Sequence, residues 1–249
     1  MNLRYTNFVI LDVETTGLSA KKDKVVEIGM HRLYDYNIIN CWSSLVNPGM
    51  HIPPVVSAIH HIVDRDVEGK PDMEYFEKGV MVYPDNCIMV AHNAKFDKSF
   101  LPTLDKHRWI CTIKCAKKLW PGLAKYTNQY LRYELDLVIY EKGDAHRVDF
   151  DITVTTALFR LILFVYEDRY VEANKGGDKE GTLEGFLEWY DEKIVLEKMP
   201  FGKHKGVLFR QVPTSYIKWA LSNLEDMDDD VKHSMKKEMD RRFKGNIWV

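Results

Sequence analysis

Tyr5-Thr6-Asn7-Phe8-Val9-Ile10-Leu11-Asp12-Val13-Glu14-Thr15-Thr16-Gly17 is the stretch on which the fold turns. Its apolar run has the character of a buried strand and ends abruptly in polar residues. Asp12 and Glu14 are two apart. On a strand, residues i and i+2 project from the same face, so both carboxylates can converge on one point. They also sit at the carboxyl end of the strand, where open α/β sheets place their ligands. Two carboxylates held that close repel unless a cation lies between them. A hard divalent ion with oxygen ligands, Mg²⁺ or Mn²⁺, is the natural solution. Taken alone, Asp-x-Glu also describes a strand end bearing two solvated acids.

Outward from this strand, Lys24–Leu33 and Ile38–Val46 are two further β-rich runs separated by turn-formers. Pro53-Pro54 opens a helical pattern that continues through Ile59, as proline does in a first turn. Ile88–Ala91 reads as a short apolar strand, followed by a helix toward Leu104. Trp109–Thr112 leads into a helix that Pro121-Gly122 ends. A long helix is expected from about Phe150 to Tyr166, with Val154, Leu158, Leu161, Ile162 and Val165 at helical spacing. Early strands followed by alternating helices and strands predict an α/β fold, a mixed sheet with helices packed on it.

The chain has 249 residues, enough for one large domain or a medium one with a small companion. No apolar run reaches the eighteen or so residues of a membrane span. The start reads as entering a strand directly, so no signal peptide is expected. Four cysteines are too sparse for a disulfide framework, so a cytoplasmic setting is expected. His107, Cys111 and Cys115 fall short of a four-ligand zinc site and read as packing residues. The net charge is −2, but its distribution matters more. Lys106, Arg108, Lys114, Lys117, Lys118, Lys125 and Arg132 follow one another without an intervening acid, interleaved with Trp109, Trp120, Tyr126 and Tyr130. That run suits either a phosphate-binding surface or a solvated helix face.

Further acids occur in telling contexts. Asp97 follows the short strand through Ala91-His92-Asn93-Ala94-Lys95-Phe96. His146 precedes Asp151 by five residues, and Asp151 lies in the first turn of the long helix, where the dipole favours a carboxylate. Asp12-Val13-Glu14-Thr15-Thr16-Gly17, Ala91-His92-Asn93-Ala94-Lys95-Phe96-Asp97 and His146-Arg147-Val148-Asp149-Phe150-Asp151 resemble the three exonuclease motifs of the DEDDh (DnaQ-like) 3′→5′ exonuclease superfamily. The likeness spans roughly residues 5–168 and implies a ribonuclease H-like mixed sheet flanked by helices. Ser57-Ala58-Ile59-His60-His61-Ile62, Trp109-Ile110-Cys111-Thr112, Lys117-Lys118-Leu119-Trp120-Pro121-Gly122 and Phe201-Gly202-Lys203-His204-Lys205-Gly206 are similar to the exonuclease X branch in particular. Asp149 departs from the pattern, since many relatives are apolar there, and Asp151 keeps the motif spacing from His146.

The resemblance implies a metal-dependent enzyme that removes nucleotides from DNA 3′ ends, with single strands preferred and nucleoside 5′-monophosphates released. Asp12, Glu14, Asp97 and Asp151 would hold two Mg²⁺ ions, with Mn²⁺ able to substitute, and His146 would deprotonate the attacking water. Two such ions suit an in-line displacement, and histidine is the residue type for proton removal at neutral pH. Thr15, Thr16, Gly17 and Leu18 would frame the terminal nucleotide, with Asn93, Phe96, Lys114 and Lys118 as further substrate contacts. An exoribonuclease is the nearest alternative, and a non-catalytic binder on the same fold is another; a homodimer is left open. Residues 1–168 are expected to form the exonuclease domain and 169–193 an acidic connector with a turn at 174–179. Residues 194–249 should form an accessory module, in which Lys198, Lys203, His204 and Lys205 surround two glycines ahead of Phe209, Tyr216 and Trp219. That module reads as either a nucleic-acid contact, with Phe209 and Tyr216 as stacking faces, or a structural appendage.

Overall fold

A computed structural model describes residues 2–80, 83–140, 143–171, 181–224 and 227–244. Strand β1 (Phe8–Thr15) organises the first unit by simple alternation. Phe8 and Ile10 enter one core, while Val9, Leu11 and Val13 enter a second core on the opposite face of the sheet. β2 (Val25–Tyr34) pairs antiparallel with β1, and β3 (Asn37–Leu45) antiparallel with β2. Asp35 and Tyr36 join β2 to β3, both at positive φ (50° and 60°), the conformation of a two-residue turn matched to strand twist. β4 (Ile88–Ala91) and β5 (Arg108–Cys111) add parallel strands, giving the order β3-β2-β1-β4-β5. This is the expected mixed sheet.

Helices cover both faces. α1 (Pro54–His60) begins on a proline, and α2 (Ala94–Phe100) follows β4. The helix expected to run to Leu104 stops at Phe100, because Pro102 pushes Leu101 out of helical backbone (φ −124°, ψ 60°) and a short 3₁₀ turn takes over. α3 (Thr112–Leu119), α4 (Asn128–Glu134) and α5 (Val148–Tyr166) contribute to the core that Phe8 and Ile10 enter. On α5 the fully buried positions include Leu158, Phe159, Ile162 and Leu163, while Val165 packs only partly buried against that core.

The segment expected to be an acidic connector contains α6 (Leu183–Asp191), which belongs to the first unit's core. Phe186 and Trp189 are buried there, with the Phe186 ring 5.0 Å from Tyr166 and 6.4 Å from Phe159. Glu184, Glu188 and Asp191 occupy the exposed side of α6, so an acidic composition conceals an amphipathic helix. The first unit accordingly runs Met1–Tyr190 and the second Asp191–Val249, in place of a boundary near 168. The turn at 174–179 lies outside the described residues.

The second unit packs α7 (Thr214–Asn223) and α8 (Asp229–Lys244) around Met199, Phe209, Val212, Ile217, Ala220, Val231 and Met235. Phe209 is 5% exposed and therefore a core residue, not the stacking face expected of it. No helix among the described residues is long and apolar enough to cross a membrane.

Candidate active site

The alternation that sends Phe8 and Ile10 toward α5 sends Asp12 and Glu14 there as well. Asp151 stands in the first turn of α5 and is buried, while Asp149 is exposed. Glu14, His146 and Asp151 present donor atoms within 4.8 Å of one another, a group able to hold a metal ion. Asp97 reaches the same place from α2. It is buried, and the Val13 backbone on β1 lies close enough to favour its charged form, partly offsetting that burial. Because β4 runs parallel to β1, their carboxyl ends share one edge, and the turn after β4 brings Asp97 beside Asp12.

His146 has a left-handed backbone (φ 63°), uncommon for a residue with a side chain. That turn points its own amide back at Asp151, whose Oδ2 accepts the bond at 2.9 Å. Gln129, from α4, donates to Asp151 Oδ1 at 3.3 Å. Two oxygens of one carboxylate are thereby oriented from two separate elements.

The electrostatics follow from crowding four acids out of water. Burial, then repulsion from Asp97, Glu14 and Asp151, holds Asp12 well above the ordinary carboxylate range. Burial and repulsion from Asp151 push Glu14 up to about 8, partly offset by the Arg147 guanidinium. Burial also raises Asp97 and Asp151. Such a cluster demands protons or a cation, and its donors are hard oxygens with one imidazole at the rim. The residues present fit divalent metal.

Around the cluster, Thr15 and Thr16 are buried, and their hydroxyls serve the loop itself. Thr15 Oγ1 donates to the Gly17 carbonyl at 2.6 Å, and Thr16 Oγ1 accepts from the Lys24 amide at 3.0 Å. Packing requires glycine at position 17: a Cβ there would stand 2.5 Å from the Asp23 carboxylate, which also caps Ser19 N at 2.8 Å. Leu18 projects from this loop, 87% exposed. Asn93 starts α2 in left-handed conformation (φ 72°), and Phe96 rests 5.0 Å from Phe100. His60 is buried, its Nδ1 accepting from the Ile62 amide, while Ile59 and His61 line a cleft with His146.

Lys114 and Lys118, expected to touch substrate, lie beside α6. Lys114 Nζ lies 4.5 Å from the Tyr190 ring centroid, and Lys118 Nζ lies 4.7 Å from that of Trp189, whose carbonyl it also meets. The aromatic residues of α6 give both ammonium groups ring faces within their own unit.

Sequence reasoning missed Glu27 and Arg147. Glu27 is directly opposite Glu14 in the β1–β2 ladder and is buried. It receives both Arg147 Nη2 (2.6 Å) and Nε (3.1 Å), together with the Val148 amide (3.1 Å). This fork ties the start of α5, and with it His146 and Asp151, to β2, the strand paired with the one bearing Asp12 and Glu14. A buried acid inside an apolar strand was the available signal. Gln129 had no signal in sequence.

Fold and site together are those of a ribonuclease H-like nuclease with an acidic metal centre. The family model for exonucleases matches residues 9–159, and the chain belongs to that family. A second model, for a putative quorum-sensing-regulated virulence factor, matches residues 186–223. The chain is 32% identical over 232 residues to Exodeoxyribonuclease 10 of Escherichia coli, covering 91% of this chain and 96% of that one. It is 35% identical over 166 residues to the DNA polymerase III epsilon subunit of Treponema pallidum, covering 63% and 76%. Among solved structures, exonuclease X in complex with 5′-overhanging duplex DNA shares 32% identity at a TM-score of 0.55, covering 70% of this chain and 97% of that one. E. coli exonuclease I with a dT13 oligonucleotide shares the fold at 15% identity and a TM-score of 0.56, covering 71% and 45%.

Proposed function

We propose that this chain is a 3′→5′ exodeoxyribonuclease that hydrolyses the last phosphodiester bond of single-stranded or frayed DNA ends and releases nucleoside 5′-monophosphates. The observation that carries the reading is the convergence of Asp12, Glu14, Asp97 and Asp151 on one buried spot with His146 at its rim. The 32% identity to an exodeoxyribonuclease over nearly both chains supports DNA as the substrate.

In this reading the four carboxylates hold two Mg²⁺ ions, with Mn²⁺ as a substitute. Bound there, the ions supply Lewis acidity for the attacking and departing oxygens of an in-line displacement. The protein's own part is positional. Gln129 and the His146 amide fix Asp151, so that donor need not reorganise when substrate arrives. His146, exposed beside the acids, takes the proton from the attacking water. Leu18 packs against the terminal base, with Thr15, Thr16, Gly17, Asn93 and Phe96 shaping the seat of that nucleotide. An unpaired end is preferred because the last base must leave its stack to reach a buried metal centre.

The test compares equal-length single strands of DNA and RNA, labelled at the 5′ end, with Mg²⁺ and with chelator. The expected outcome is a ladder shortening from the 3′ end of the DNA, mononucleotide product, and no cleavage in chelator. Undiminished cleavage in excess chelator overturns the metal reading, and faster loss of the RNA strand overturns the choice of DNA.

A further inference from the structure

The second unit carries a surface for which the nuclease chemistry has no use. From Lys198 to Leu224 the chain holds Lys198, Lys203, Lys205, Arg210 and Lys218 and no acid at all. The turn at 202–206 begins and ends on glycines at positive φ (68° and 82°). A Cβ on Gly202 would stand 2.4 Å from Tyr216 Oη, so glycine is what lets the turn close over that tyrosine. The His204 ring meets Tyr216 edge-on with centroids 4.6 Å apart, and Lys203 Nζ lies 5.3 Å from the Tyr216 centroid. On α7, Ile217 and Ala220 are buried in the unit's core, and Tyr216 packs partly buried against it, three residues before the more exposed Trp219. Their rings are 5.6 Å apart with 36° between planes, and Trp219 is 50% exposed. Lys203, His204, Pro213, Ser215, Tyr216 and Trp219 line a cleft of about 520 Å³.

A half-exposed indole held beside a tyrosine, with ammonium groups on the adjoining turn and no carboxylate in the cleft, has the chemistry of a platform for unpaired bases. We propose that this face binds single-stranded DNA, stacking bases on Trp219 and Tyr216 while Lys203 and Lys205 neutralise the adjoining phosphates. It rests on the nuclease reading only for the choice of DNA over RNA.

The experiment uses the full chain in chelator and measures fluorescence anisotropy of labelled oligothymidylate, long and short, and of a blunt duplex. Trp219→Ala is expected to weaken the long strand about five- to tenfold, the scale of one lost stacking contact. Trp219→Phe should stay within about twofold, because it keeps a ring in place. Lys203→Gln with Lys205→Gln should weaken binding and flatten the dependence of log Kd on log salt by roughly one to two. With Mg²⁺ restored, kcat on the short strand should match wild type in every variant, which reads the first unit separately. A wild type that cleaves nothing would count against the nuclease reading and leave the binding result standing. Unchanged affinity of Trp219→Ala for the long strand overturns the proposal. So does an equal loss on the blunt duplex, or a shift in oligomeric state on sedimentation with DNA affinity intact, which would make the face a contact between copies.

Discussion

If crowded carboxylates define the centre, the protein without metal should lose stability as the solution turns alkaline. Glu14 is pushed up to about 8 from its ordinary 4.5. Between those values the folded protein holds a proton that the unfolded chain has released, so stability must fall as pH rises through that window. At ~1.4 kcal/mol for each pH unit of the gap, ionised Glu14 opposes folding by on the order of 5 kcal/mol, and water at its open edge screens this to about 2. Asp12, Asp97 and Asp151 are raised too and act in the same direction. For a unit of this size, about 2 kcal/mol corresponds to a Tm change of roughly 4–8 °C. Scanning calorimetry in chelator, from about pH 5 to about pH 8, should show Tm falling by at least that much. Millimolar Mg²⁺ should raise Tm little at the acidic end and strongly at the alkaline end, because only ionised carboxylates repel. Glu14→Gln should flatten the slope measured in chelator. A Tm that is level or rising across the window, with the same metal effect at both ends, would refute the reasoning.

Three further outcomes are expected. Asp151→Asn should lower kcat about a thousandfold or more, since it weakens a metal ligand held from both sides, whereas exposed Asp149→Asn should stay within about threefold; a steady-state comparison showing the reverse order would misplace the third motif. His146→Ala should lose roughly a hundred- to ten-thousandfold in turnover while keeping the Mg²⁺-induced rise in Tm, and loss of that rise would make His146 a ligand instead of a base. Glu27→Gln should destabilise the first unit by about 2–3 kcal/mol in urea titration, because Arg147 and the Val148 amide lose a charged acceptor; a cost below about 0.5 kcal/mol would show that the fork is dispensable.

Much of this molecule was legible where local chemistry and global packing agree. The continuous apolar run Phe8–Leu11 marks a strand buried on both faces, and strand geometry carried through Asp12 and Glu14 states which face the acids take. Pro54 and the apolar rhythm of 150–166 announce their helices for equally local reasons. What stayed hidden depends on partners distant in sequence. That Trp189 and Tyr190 come back to meet Lys118 and Lys114 is written nowhere near those lysines in the chain. The 169–193 segment looked like a linker because net charge outweighed four aromatic or aliphatic positions at helical spacing. Glu27 stood out as an acid inside an apolar strand, but its purpose shows only when Arg147, 120 residues away, is seen to grip it.

The alternation of β1 also constrains how the protein can change. One strand supplies two hydrophobic layers and two reactive groups from a single period-two thread, so its residues cannot be shifted independently. Inserting or deleting one residue between Phe8 and Asp12 would turn Leu11 or Val13 toward the metal centre and drive a carboxylate into the opposite apolar layer. Frameshifts of that kind would abolish solubility and catalysis in a single stroke. Substitutions at Leu18, which projects into solvent beyond the strand, escape that coupling entirely. A library that varies Leu18 while leaving residues 8–14 untouched would therefore test the terminal-base contact proposed for it without sacrificing the fold.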